Sequence, residues 1–255
     1  MKRGWTILAI ICFIIAGVSI GFPTYTHRYR LTVDIDTPDG VRSGSSVFEV
    51  ARKDVRWILI AQGRYEFRVR GAAAFVDLGN GRNVVALLAT GRTAQNTDQI
   101  VSLGIEAYGH YKWDEDAWAG RLQMSGPVEL KPPLVPTMVT LSDTADERTA
   151  RVIYATETRE TNDGRTGSRR TPTVAVDDFT NVFGEGVGLR SVRIESVSEG
   201  LWPLNLFGLS GTPITRDIAD RLPFLKSDRV MARGTSYTGM PGRFDPHTHL
   251  FFREQ

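Results

Sequence analysis

From Tyr29 the chain alternates. Tyr29, Leu31, Val33 and Ile35 are apolar, and Arg30, Thr32, Asp34 and Asp36 lie between them. Period two is the signature of a strand with one face in a core and the other in water. Pro38-Asp39-Gly40 supplies a turn, and residues 46–51 are expected to form a second strand. Residues 64–70 alternate more cleanly, with Tyr65, Phe67 and Val69 on one face and Arg64, Glu66, Arg68 and Arg70 on the other. Residues 74–78 and 83–89 flank Gly79-Asn80-Gly81, whose tolerance of positive φ predicts a hairpin.

Helical signals are fewer. Ile100, Leu103, Ala107 and Tyr111 recur at three- and four-residue steps and predict a helix after Thr97. Near the C-terminus Thr212 is placed to cap a helix and Pro213 fits its first turn. Ile214, Ile218 and Leu222 would form its stripe, and Pro223 limits it. A shorter helix is predicted from Asp177 to Gly184. Residues 158–172 hold no large apolar side chain and are expected to form an exposed, mobile loop. Pro127, Pro132, Pro133 and Pro136 mark a bend that either divides two lobes or belongs to a loop within one domain. The expected fold class is α+β, a mainly antiparallel β-rich domain with a few short helices.

The N-terminus follows another pattern. Between Arg3 and Arg28 there is no formal charge, taking His27 as neutral, and residues 5–22 are dominated by apolar side chains. The large ones are Trp5, Ile7, Leu8, Ile10, Phe13, Ile14, Ile15, Val18, Ile20 and Phe22. At ~1.5 Å rise per residue this run reaches roughly 27 Å, close to the ~30 Å hydrocarbon core of a bilayer. Trp5 and Tyr25 bracket it, as interfacial aromatic anchors would. The competing reading is a cleaved signal peptide, but Gly17-Val18-Ser19 makes a poor cleavage site and apolar residues continue to Phe22. The expected organisation is an N-terminal transmembrane anchor with its flanks over residues 1–28 and a soluble domain over residues 29–255.

Charge supports this division. The sequence pI is 8.8, which suggests a nucleic-acid binder until the charges are placed. Lys2, Arg3 and Arg28 flank the apolar run, and all acidic residues follow it, leaving 28 basic against 29 acidic. The positive excess is a membrane flank, so nucleic acid is not an expected partner. Cys12, the only cysteine, lies inside the run between Ile11 and Phe13. An intrachain disulfide and a multi-cysteine metal site are therefore excluded. A lipid-modified cysteine needs a small residue before it and the end of the run after it, so an inert buried thiol is expected.

The sharpest local motif is Met240-Pro241-Gly242-Arg243-Phe244-Asp245-Pro246-His247-Thr248-His249-Leu250. It resembles the metal-binding opening of amidohydrolases, in which an HxH pair coordinates a catalytic ion. His247 and His249 would share one face of a strand. In that family a long barrel follows the motif and supplies further ligands, whereas six residues follow His249 here. Upstream only His27 and His110 remain, so neither a metal nor a cofactor is expected. Gly184, Gly186 and Gly188 follow a predicted helix and precede a strand, the reverse of a dinucleotide loop, and are expected to be a turn. Asp114-Glu115-Asp116 lacks the glycine and terminal glutamate of a calcium loop and is expected to be a solvated acidic turn. Arg64, Arg68 and Arg70 can meet lipid phosphates or an acidic partner, but a charged solvent face is the simpler expectation. No Gly-x-Ser-x-Gly elbow and no phosphate loop is present.

Seven stretches carry a broader resemblance. They are Tyr29-Arg30-Leu31-Thr32-Val33 with Ser43-Gly44-Ser45-Ser46-Val47, and Val76-Asp77-Leu78-Gly79-Asn80-Gly81-Arg82. Next come Val176-Asp177-Asp178 with Phe183-Gly184-Glu185-Gly186-Val187, then Ile214-Thr215-Arg216 with Leu222-Pro223-Phe224-Leu225. Through these the chain resembles an uncharacterised family of bacterial proteins with one N-terminal membrane segment. The resemblance implies the anchored architecture and no catalytic residue. The expected function is that of a membrane-anchored envelope protein acting by binding or as a structural module. An envelope hydrolase is the alternative. Expected partners are the lipid bilayer, through the N-terminal helix, and an envelope protein. Lys2 and Arg3 favour an N-in orientation against Arg28 and Arg30, which predicts an inner-membrane protein with a periplasmic domain.

Overall fold

The computed structural model describes residues 24–54, 65–163, 167–201, 204–207, 209–226 and 252–254. β1 (Thr24–Thr37) and β2 (Gly40–Asp54) form one long hairpin, in register from Thr24↔Lys53 to Thr37↔Gly40. β3 (Tyr65–Ala72) pairs with the last part of β2, and β11 (Phe252–Glu254) with β3. The other edge of β1 carries β10 (Gly188–Val197), which β6 (Pro127–Glu129) extends. The resulting order is β11-β3-β2-β1-β10-β6, antiparallel throughout.

A second antiparallel sheet has the order β4-β5-β7-β8-β9. Its strands are β4 (Ala74–Gly79), β5 (Arg82–Ala86), β7 (Met138–Leu141), β8 (Ala150–Asp163) and β9 (Gly167–Asp177). Only Ala73 separates β3 from β4, so one extended run changes sheets at that residue. Small residues permit the corner. Gly71 has φ 139° and lies against Phe48, where any side chain would collide. The Ser46 hydroxyl donates to the Ala72 carbonyl at 2.5 Å and pins β2 to the corner.

Two apolar layers follow. Between the sheets, Tyr29, Leu31, Val33 and Ile35 of β1 pack with Val76 and Val84, under Ile100 and Leu103 of α1 (Gln99–Ala107). On the far face of the second sheet, Val85, Leu87, Val139 and Leu141 pack beneath Ile218, Leu222, Phe224 and Leu225. Residues 84–89 therefore lie between two cores, which explains an unbroken apolar run where one-sided strands alternate. Asn83, buried between β5 and β7, both donates to the Leu141 carbonyl (2.8 Å) and accepts from its N–H (3.0 Å). Leu130 and Val135, within the proline bend, share the first core with residues from both sides of it.

The mainly antiparallel sheet with few short helices agrees with the expected class. Asn80 turns the β4–β5 hairpin at φ 55°, and α3 (Phe179–Phe183) ends at Gly184 with φ 94°. Three expectations fail. α1 stops at Ala107, Gly109 takes φ 82°, and Tyr111 is exposed beyond the helix. The helix expected from Pro213 shrinks to α4 (Ile218–Arg221), because Thr215 is held by β2. Thr215 N–H donates to the Val47 carbonyl at 2.9 Å and its hydroxyl accepts from Val47 N–H at 2.8 Å. Bonding to an open strand edge has overridden the helical stripe. The third failure is the loop over residues 158–172. β8 and β9 pair through it, from Thr158↔Pro172 to Asp163↔Gly167. Backbone pairing in a two-stranded ribbon needs no large apolar side chain, so composition alone concealed the strands.

Candidate functional site at the start of the first strand

All ten apolar anchor positions, Cys12, Arg64, His247 and His249 lie outside the described residues. The acidic turn is part of the scaffold. Asp114 caps α2 (Glu115–Trp118) by accepting from Asp116 and Ala117 N–H, and Asp116 pairs with Arg121 at 2.7 Å. Glu115 accepts from the Tyr65 hydroxyl at 3.0 Å. Gly184 and Gly186 lie in the turn between α3 and β10, and Gly188 is the first residue of β10. Among the described residues, no group of three or more His, Cys, Asp or Glu is arranged to hold a metal ion.

The most concentrated chemistry lies where β1 begins. Arg28 faces Glu49 across the hairpin, its Nε and Nη2 both 2.9 Å from Glu49 Oε2, and both side chains are buried. Arg28 also donates to the Thr212 carbonyl at 2.7 Å, and Arg70 approaches Glu49 at 3.6 Å. Arg28, assigned from the sequence to the membrane flank, is thus spent inside the domain. On the other face of the hairpin Arg52 is 2% exposed. Its guanidinium lies over Tyr65, Trp118 and Tyr25 at 4.4, 5.1 and 5.6 Å from the ring centres, a cation–π cage.

His27 adjoins that cage. Its Nε2 is 2.9 Å from the Trp118 carbonyl, an acceptor, so Nε2 carries the proton and neutral Nδ1 is left bare. Nδ1 faces Glu199 at 3.5 Å. Burial pushes the Glu199 carboxyl up to about 7; Glu49 adds to this and Arg28 opposes it. Burial holds His27 below its ordinary range, partly offset by the Trp118 carbonyl and reinforced by Arg52. A protonated Glu199 can donate to Nδ1, whereas an ionised one cannot.

The rim of this end mixes exposed apolar side chains with charged ones, among them Lys53, Asp54, Lys112 and Glu115. Strand registers put the end of β2, the start of β3 and the end of β10 beside the start of β1, through Thr24↔Lys53, Asp54↔Tyr65 and Arg28↔Val197. Trp113 is 42% exposed and stacks on Tyr65 at 6.4 Å and 14°. Leu201, Leu204 and Leu209, in the segment that follows β10, are 72, 45 and 72% exposed.

A polar cleft of about 480 Å³ lies elsewhere, between β2, β4 and α4, with Arg42, Asp77, Asp217 and Arg221 in its walls. Several of its groups serve the fold: Ser43 donates to Asp34 at 2.6 Å, Asp77 accepts from Gly79 N–H at 2.8 Å, and Arg221 lies over Phe75. Sequence patterning missed Glu49, Arg52 and Glu199, none of which has a local motif. The charge-free stretch from Gly200 to Gly211, rich in leucine, was a signal available for the rim. Among the described residues no helix is long and apolar enough to cross a membrane. Comparison with protein-family models, curated proteins and solved structures finds no match to this chain.

Proposed function

We propose that the chain is a single-pass, membrane-anchored envelope protein whose β-rich domain acts by binding or as a structural module rather than by catalysis. One observation carries the anchoring: β1 starts at Thr24, with only Pro23 between it and the apolar run that ends at Phe22. A helix over residues 5–22 would pass into the central hairpin without a flexible linker and hold the domain at the bilayer surface. Binding is favoured by the outer edge of β9, the last strand in the order of the second sheet, where an added strand could pair. A hydrolase is the second reading, and the His27–Glu199 pair is what favours it.

Fusions of alkaline phosphatase and, separately, green fluorescent protein after Gln255 test the placement. Phosphatase activity without fluorescence is expected for a periplasmic domain, and bright fluorescence without phosphatase activity overturns it. Affinity purification from solubilised membranes tests the mode of action, a stoichiometric envelope protein being the expected co-eluant.

A further inference from the structure

We infer that the end of the domain bearing Leu201, Leu204 and Leu209, with Tyr111 and Trp113, dips into the interfacial layer of a lipid bilayer and makes a second membrane contact beside the N-terminal helix. This placement rests on the membrane-anchored function proposed above.

Exposed large hydrophobic side chains are unevenly distributed. Among the described residues there are seven, and five of them are Tyr111, Trp113, Leu201, Leu204 and Leu209. All five belong to segments at the end where β1 begins. Glu199, two residues before Leu201, reaches His27, and the Thr212 carbonyl, three residues after Leu209, is bonded by Arg28. Trp113 lies on Tyr65, the first residue of β3, and the Tyr111 carbonyl accepts from Asp114 N–H in the same turn. Val41, another of the seven, is at the opposite end of the hairpin, and Val174 is on β9.

The chemistry of this end fits a lipid surface. Leucines exposed to water lose hydration cost when their tips enter the acyl boundary, and Tyr and Trp favour the headgroup level. From Gly200 to Gly211 no charge would have to be desolvated. The chain immediately preceding Thr24 is the apolar run itself, so a bilayer holding that run already lies against this end.

The test uses the full chain with Cys12→Ser and single Leu204→Cys, Leu209→Cys or Val41→Cys substitutions, each labelled with an environment-sensitive NBD fluorophore. The proteins are reconstituted into phosphatidylcholine–phosphatidylglycerol vesicles with or without doxyl-labelled lipids. Vesicle flotation reports the anchor separately. The expected result is flotation of all three, with blue-shifted emission that doxyl lipid quenches at positions 204 and 209 and not at 41. Flotation with all three probes unquenched overturns the second contact and leaves the anchor standing. Blue-shifted emission without quenching means that protein covers the leucines, which overturns the lipid assignment. Failure to float overturns both the anchor and the contact.

Discussion

The ring of Tyr29 lies against Gly104 of α1 so closely that a methyl group on Gly104 would overlap it. Alanine is the better helix former by roughly 1 kcal/mol, but forcing a methyl into a packed core costs roughly 1–3 kcal/mol. Gly104→Ala should therefore lower stability despite its helix propensity, read as an earlier midpoint in urea denaturation of the detergent-solubilised chain. An unchanged or later midpoint would show that α1 shifts freely over β1.

Arg28 and Glu49 make the next prediction. Their side chains are 8 and 11% exposed, so removing one partner strands a buried charge. Arg28→Met or Glu49→Leu should each cost about 3–5 kcal/mol, whereas the two together should cost less than the sum of the single losses. A double-mutant cycle in chemical denaturation measures the difference. Strict additivity would mean that the pair is not coupled.

Glu199 sets a pH dependence. Its carboxyl titrates at about 7 in the fold against an ordinary 4.5, so the folded state binds more protons between those values. That contribution favours folding at low pH and is lost as pH rises through 7. His27, lowered from 6.5, acts the other way as pH rises towards 6.5. The His27 contribution fades above that while the Glu199 slope persists, so thermal midpoints should fall between pH 6.5 and about 8. Glu199→Gln should flatten this decline. A decline of the same size in both proteins would place the titrating group elsewhere.

An uncleaved anchor predicts an intact mass for the native protein equal to the full chain, 28.3 kDa. The run over residues 5–22 and its poor cleavage site motivate the prediction. A mature chain beginning near Ile20 or Phe22 would end it.

How much of this was legible beforehand depends on the range over which each signal acts. β1, β3 and the Gly79–Gly81 hairpin were readable because alternation and turn chemistry are local, and Gly184 marked the end of α3 for the same reason. The helix expected from Pro213 was not, since what extends Thr215 is the edge of β2, far away in sequence. Nor was the β8–β9 ribbon, whose stability comes from backbone pairing that leaves no apolar pattern. At the site, Arg28 read as a membrane flank and Glu49 only as one residue of the strand expected over residues 46–51. Only the register that brings 28 opposite 49, and the segment through Thr212 that covers them, makes the pair internal.

The position of β1 also orders events in time. It is the first of the described strands to be made, yet it lies inside its sheet, and Leu31 must wait for Ile194. Until β10 is synthesised, one side of β1 offers unpaired N–H and carbonyl groups within reach of any neighbouring nascent chain. Pairing across so long an intervening sequence makes closure of the sheet slow. Fragments ending before Gly188 would therefore carry an open sticky edge, and cells producing them would need a holdase to keep neighbouring copies apart.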